Sequence, residues 1–362
     1  MKRIYCLFLA LVLSLGCVGC GWMDGQYVSV KPHQVGYAPD GQDLTVVSGD
    51  TALRKAIMAL IDAGETEAVL TLAGYPEEEV REDLEWIVPY CTSTYPIGAY
   101  AVEKIRWDLG QGLLSVDIDY RRSRAQIDQI QTVRTVSAAK EAIDQALTTY
   151  ADTLVLQITL YTELDAANYI ADFAARNPNL VMELPQVTAQ LYPQSGSTRI
   201  LELEFDYQTS RESLRSMASQ VRQVFSSAKL YVTTGADDGV KLNQLYGFLM
   251  ERFDYVVETS ITPAYSLLNY GVGDSRAFAQ VYAAMCRQSG LEVEVVSGTC
   301  SGESRFWNIV RNGDRYYHVD LLECAMLGRY REKTDREMTG YVWDYQAYPA
   351  CGEPQMPEQT EP

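Results

Sequence analysis

The chain has 362 residues and a formal net charge of −18 at pH 7, with 48 Asp and Glu against 30 Lys and Arg. No basic cluster exceeds isolated pairs such as Arg121-Arg122, so nucleic acid is excluded as a partner. The acidity suits the solubility of an exposed protein, and the length allows several domains.

Residues 1–20 read as an export signal. Met1-Lys2-Arg3 is positive, and Ile4 to Leu15 is an apolar run too short to span a bilayer. The run ends Leu15-Gly16-Cys17-Val18-Gly19-Cys20-Gly21. Small residues before a cysteine resemble a bacterial lipobox, where the cysteine takes diacylglycerol and becomes the mature N-terminus. Cys20 is the expected lipidation site and Cys17 the alternative; an ordinary secretory signal with incidental cysteines is the competing reading. A lipid anchor would place the protein on the extracellular face of the cell membrane. Residues 21–50, polar with scattered Gly, Pro and Asp, read as a tether.

Residues 51–136 and 137–235 read as two tandem copies of a small α+β module. Val116 to Ile127 resembles Leu203 to Leu214, and Leu53 to Ile57 parallels Ala139 to Ile143. Each copy predicts a helix, a short strand (Ala68–Leu72 or Leu154–Ile158), a second helix, a hairpin and a final helix. The hairpin strands alternate: Val116, Ile118 and Tyr120 oppose Asp117 and Asp119, and Leu203, Phe205 and Tyr207 oppose Glu204 and Asp206. Ser123 and Ser210 are expected to cap the final helices. Neither copy carries paired catalytic groups, a glycine loop or metal ligands, so each reads as a spacer or binding platform.

Residues 236–351 carry the chemistry-bearing motifs, and 352–362 form an acidic, proline-containing tail expected to be disordered. Lys241 to Tyr255 predicts an amphipathic helix running into a strand. Gly273-Asp274-Ser275-Arg276-Ala277 opens a helical run to Gly290, and Val293 to Gly298 predicts a strand. Arg305-Phe306-Trp307-Asn308 and Tyr317-His318-Val319-Asp320 follow. In order and spacing these segments resemble the bacterial transglutaminase-like branch of the papain-like cysteine enzymes. Those read Ala-Val-Cys-x-Gly-Tyr-Ala at a helix start, then Val-Val-(Ser/Thr)-Gly, His-Ala-Trp-Asn and Tyr-His-Val-Asp. The resemblance extends through Lys333–Met338, Trp343-Asp344 and Tyr348–Cys351, which are similar to the segment that closes that domain.

The resemblance implies a papain-like core within an α+β chain. It also implies a degenerate triad: Ser275 stands at the nucleophilic cysteine, Arg305 at the histidine, and Asp320 at the aspartate. Trp307 and His318 would line the cleft. A guanidinium stays protonated and cannot act as a base, so the expected outcome is an inactive core. Ser275 then reads as a helix N-cap and Arg305 as a charge partner of Asp320. The implied role is binding or scaffolding of a protein or cell-wall peptide. The alternative is an active amide hydrolase or transglutaminase-like enzyme using Ser275 with His318, or Cys300. Cys286 sits too far along the helix from Ser275 to replace it.

No cofactor is implied. The cysteine spacing has no metal-ligand pattern, and His33 and His318 are the only histidines. Beyond the lipobox, Cys91, Cys286, Cys300, Cys324 and Cys351 are an odd number, so at least one thiol is free or pairs between molecules.

Overall fold

The computed structural model describes residues 46–252, 254–255 and 263–352. The signal, both candidate lipidation cysteines, His33 and the tail from residue 353 lie outside the described residues. No helix among the described residues is long and apolar enough to cross a membrane.

The first sheet comprises β1 (Val46–Val47), β2 (Glu67–Leu72), β3 (Val102–Gly110) and β4 (Leu113–Tyr120), in the order β1-β2-β4-β3. β1 runs parallel to β2, and the remaining pairs are antiparallel. Helices α1 (Asp50–Ala63), α2 (Glu77–Ser93) and α3 (Pro96–Ala101) supply its apolar cover. As the alternation requires, Leu114, Val116 and Ile118 are buried while Asp117 and Asp119 turn the other way. β1 lies inside the stretch expected to be tether, because Val46 and Val47 pair with Thr71 and Leu72.

The second sheet has the same strand order and the same pairing senses: β5 (Gln131–Thr135), β6 (Thr153–Leu160), β8 (Arg199–Asp206) and β7 (Gln186–Tyr192), with β5 parallel to β6. It therefore begins at Gln131, earlier than the boundary expected at 137. Gln131-Thr132-Val133-Arg134-Thr135 is a half-buried, β-branched run that pairs with Leu156 to Leu160. Helices α5 (Val136–Thr149) and α6 (Ala166–Arg176) cover this sheet.

Ser123 and Ser210 cap helices as expected: Ser123 forms a capping box with Gln126, and the Ser210 hydroxyl accepts from the Ser213 N–H. The helices they open differ greatly. α4 (Arg124–Asp128) is a single short turn before β5, whereas α7 (Arg211–Tyr231) runs for 21 residues. The reason is a stripe at Leu214, Ala218, Val221, Phe225 and Ala228, all buried at helical spacing. This stripe shares one apolar cluster with Tyr150 and Met182 on the sheet side and with Leu245, Tyr265 and Tyr282 of the C-terminal domain.

The two sheets meet through α3, whose Tyr100 lies in a cluster with Val155 and Ile200. That contact buries Glu202, which takes Arg122 Nη2 at 2.6 Å and the Tyr100 hydroxyl at 3.4 Å. A carboxylate so placed needs these partners, because an unpaired buried charge is costly.

The C-terminal domain runs α8 (Asp238–Met250), β9 (Asp254–Tyr255), α9 (Pro263–Tyr270), β10 (Val272–Gly273) and α10 (Ser275–Gln288). Then come β11 (Val293–Cys300), β12 (Glu303–Asn312), β13 (Arg315–Val319), α11 (Leu321–Leu327) and β14 (Tyr341–Val342). The last four strands form an antiparallel sheet, β13-β12-β11-β14. α10 is buried along most of its length, with Val281, Tyr282, Ala283 and Cys286 fully enclosed. The sheet thus lies between α10 on one face and residues 338–351 on the other.

Gly98 tests the packing of α3. A Cβ there would stand 1.7 Å from the Cys91 carbonyl oxygen. In an open helix Gly→Ala stabilises by about 0.5–1 kcal/mol. Here Gly98→Ala should instead destabilise by about 1–3 kcal/mol, as overpacking does, read from denaturant unfolding.

Candidate functional site

Two residues suited to capping stand at the start of α10, Asp274 and Ser275, and the backbone decides between them. Asp274 sits at φ −86° and ψ 179° and accepts from the Ala277 N–H at 2.8 Å. Asp274 is therefore the N-cap, and Ser275, expected in that role, is the first helical residue. The Ser275 hydroxyl instead accepts from the Phe306 N–H at 3.3 Å, tying the helix start to β12.

Arg305 and Asp320 are joined directly. Nε and Nη2 of Arg305 both reach Asp320 Oδ2 at 2.8 Å. Asp320 is 1% exposed, and the Arg305 side chain 14%. The same oxygen accepts from the Tyr341 hydroxyl at 2.6 Å. Oδ1 caps α11, accepting from the N–H groups of Leu322 at 3.0 Å and Glu323 at 3.2 Å. Burial pulls the Arg305 pKa down, but Asp320 outweighs it, and the guanidinium holds its proton more tightly than usual. Burial first, and then Asp320, raises the Tyr341 hydroxyl far above its ordinary range, so it stays a donor. Beside this group Lys333 reaches Glu323 at 2.6 Å and lies over the Tyr341 ring.

Trp307 and His318, expected along the cleft, are wholly buried elsewhere. β12 alternates, and both its faces are covered. Asn308 points to α10, donating to the Ala279 carbonyl at 2.9 Å. Trp307 points to the opposite face and packs edge-on against Tyr341 and Trp343.

His318 accepts at Nδ1 from Trp307 Nε1 at 3.0 Å and meets Asp335 Oδ1 through Nε2 at 2.8 Å. An indole N–H only donates, so Nδ1 is unprotonated and Nε2 carries the hydrogen toward Asp335. Both ring nitrogens are engaged, and no lone pair is left to serve Ser275. Among the described residues no hydrogen bond joins Ser275 to Arg305, Asp320 or His318.

His318, Asp335 and Cys351 place three possible donor atoms within 4.8 Å of one another. The hydrogen bonds already assign them: Nε2 carries a proton, Asp335 also accepts from the Cys351 N–H, and the Cys351 thiol turns to the Pro349 carbonyl. The cluster fastens residues 335–351 to the sheet. It does not offer a metal the free imidazole lone pair that it would need.

All five described cysteines are free thiols. Burial pushes Cys91 and Cys351 up to about 12 and Cys324 up to about 11, and raises Cys286 further, which keeps these thiols protonated and unreactive. Cys300 is half-buried at the end of β11, opposite Tyr341 in the β14 register. It does not line the cavity beside Ser275.

That cavity, of about 390 Å³, is walled by Phe306 and Leu321, the chain neighbours of Arg305 and Asp320, together with Met250, Phe278 and Leu322. The pattern of the sequence pointed to Arg305 and Asp320 but not to Phe306 or Tyr341. Tyr341 lies in the closing segment, yet no local signal marks its hydroxyl as a partner of Asp320.

Residues 227–321 match the family model described as the transglutaminase-like superfamily. No curated protein matches the chain. Among solved structures the chain is similar to a TGase at 10% identity and TM-score 0.26, over 47% of this chain and 50% of that one. It is also similar to a presumed cysteine protease from Cytophaga hutchinsonii, at 11% identity and TM-score 0.26, over 41% and 65%. A third is a presumed protease from Parabacteroides distasonis ATCC 8503, at 9% identity and TM-score 0.23, over 59% and 35%. The chain thus spans between about a third and two-thirds of these proteins' lengths.

Two outcomes are expected from this geometry. Asp320→Asn and Arg305→Met should each destabilise, by about 3–5 kcal/mol for the buried carboxylate and less for the more open guanidinium. The double variant should fall short of their sum by at least about 1 kcal/mol; strict additivity in denaturant unfolding would show two independent side chains.

His318 carries the second. Burial, the main cause, with Lys333 adding, holds its pKa below the usual imidazole value despite Asp335. Its contribution to stability is complete above the unfolded pKa, near 6.5, and is lost as pH falls below that toward the folded value. The protein should therefore begin to lose stability as pH falls through about 6.5 and go on losing it as pH falls further. In His318→Gln, whose amide can accept from Trp307 and donate to Asp335 without titrating, that segment of the curve should flatten.

Proposed function

We propose that this chain, which carries a transglutaminase-like domain, uses that domain to bind a partner at the cell surface and not to catalyse acyl transfer. One observation carries the reading. At the position where the family's chemistry needs an imidazole base, a guanidinium is locked by two contacts onto Asp320. Acyl transfer requires an ionisable nucleophile and a base that takes its proton. Ser275 lacks a neighbouring base, because Arg305 is permanently charged and His318 has both nitrogens engaged.

The partner would be a protein or cell-wall peptide held in the cleft beside Ser275. A lipid on Cys20, or on Cys17, would anchor the chain to the outer face of the membrane. The two α+β sheets would hold the domain away from it. Their shared strand order supports an origin by duplication.

The test is turnover of an amine-acceptor, amide-donor pair and of casein by the purified protein. No activity is expected above background, and none should appear in Ser275→Cys alone, which still lacks a base. Turnover abolished by Asp320→Ala would overturn the reading. Mass spectrometry of membrane-extracted protein should find a diacylglyceryl cysteine at the mature N-terminus.

A further inference from the structure

The cavity beside Ser275 does not end at its own wall. Tyr246, Gly247 and Gly328 line it and also line a second, more open cavity of about 600 Å³. The two form one groove between α8 and α11, and Gly247 and Gly328 make the saddle between them. The inner part is the more apolar of the two, walled by Met250, Phe278, Phe306, Leu321 and Leu322. The outer part is polar and aromatic, with Tyr231, Asn243, Gln244, Arg329 and Tyr330.

Gly247 is the informative residue. It lies within helix α8, where glycine costs about 1 kcal/mol relative to alanine. Neither backbone conformation nor packing demands it: its φ is not positive, and a Cβ built there meets nothing within 4 Å. What its missing side chain does is keep the saddle clear, so that a ligand can cross close to the helix backbone.

A compact ligand would fill one cavity only. A groove with an apolar pocket at one end, a bare saddle and amide side chains beyond suits an extended chain whose backbone needs polar partners. The single charged residue lining the inner cavity is Glu251. It meets Arg252 at 3.6 Å and accepts from the Tyr231 hydroxyl at 3.3 Å, but all three side chains are exposed, and such contacts leave much of the carboxylate's capacity open. Arg329 on the outer part offsets this carboxylate along the groove as a whole, so the preference for a cationic ligand comes from Glu251 at the inner end and, at long range, from the net charge of −18.

We propose that this groove binds an extended, basic peptide segment that seats one large apolar side chain in the cavity beside Ser275. The proposal rests on the non-catalytic reading above and gives that site its ligand class. The side chain enters between Phe278 and Phe306, the backbone crosses Gly247, and a neighbouring basic residue faces Glu251.

The experiment uses the intact protein and fluorescein-labelled Ser-Lys-Xaa-Lys-Ser peptides in which Xaa is Trp, Leu or Ala, with Ser-Glu-Trp-Glu-Ser as the charge control. Anisotropy should give at least about tenfold tighter binding for Trp or Leu than for Ala, the scale expected from burying one large side chain. The acidic peptide should bind weakly. Gly247→Phe, which fills the saddle, should abolish binding, and so should Ala325→Trp, which closes the same cavity from the exposed face of α11 and guards against misfolding of the first variant. Gly247→Ala should melt higher and still bind. Equal binding of all the peptides, or Trp-peptide binding unchanged in folded Gly247→Phe and Ala325→Trp, would overturn the proposal. Peptides recovered intact would confine that failure to the ligand class. Cleaved or cross-linked peptide would instead sink the non-catalytic reading.

Discussion

The carboxylate of Asp320 is the point on which the C-terminal domain depends. Its two oxygens take four donor groups: Arg305, the Tyr341 hydroxyl, and the N–H groups of Leu322 and Glu323. These belong to β12, to β14 and to the first turn of α11, so one buried charge ties the sheet to its covering segment and its following helix. A charge that is 1% exposed persists only with such complete pairing. In an intact triad the histidine would donate one N–H to this aspartate. Arg305 supplies two donors and a fixed positive charge, a stronger tie than a neutral imidazole makes. The aspartate therefore has a structural reason to be present even where no base stands beside it.

The covering segment is held at a second point by His318. Its ε-tautomer, fixed by the indole of Trp307, reaches Asp335, and Trp343 packs edge-on against the ring at 4.9 Å. The fit is close. A Cβ at Gly298 would stand 2.3 Å from the Val342 carbonyl and 2.7 Å from the Trp307 ring. The glycine that ends Val295-Val296-Ser297-Gly298 is thus where the strap lies down on β11, a packing requirement and not a catalytic one.

Much of the architecture was legible because burial is periodic. The alternation at Val116 and Ile118 and the strand at Val293 follow from spacing, as does the helix expected from Lys241, which begins one turn earlier at Asp238. The Arg305–Asp320 pair was legible from its place in two motifs. Other features were not. Trp307 shares a face with Arg305 by period-2 spacing, and the register sets His318 opposite Ile309 on that same face, but β12 is covered on both sides, and spacing cannot say which cover is the cleft. Asp274 and Ser275 are both good N-caps, and only the backbone angles separate them. The 21-residue length of α7 depends on a stripe that packs against a domain following it in sequence, so comparison with the first module could not reveal it.

On the proposed reading, the departure from acyl-transfer chemistry is wider than two substituted side chains. A thiol at position 275 would stand at the start of α10, where a helix N-terminus favours a thiolate. It would still face Phe306, where the resembling enzymes carry alanine, and the apolar side chains of Leu321 and Leu322. These side chains make the greater part of the wall beside Ser275 apolar. A site for amide cleavage needs donors aimed at the developing oxyanion. The walls here supply hydrocarbon, the Ser275 hydroxyl already accepting from a backbone N–H, the Tyr246 hydroxyl already donating to the Cys324 carbonyl, and a carboxylate at the rim. On the proposed reading such a surface would recognise shape and apolar area, with the Arg305–Asp320 pair fixed behind it.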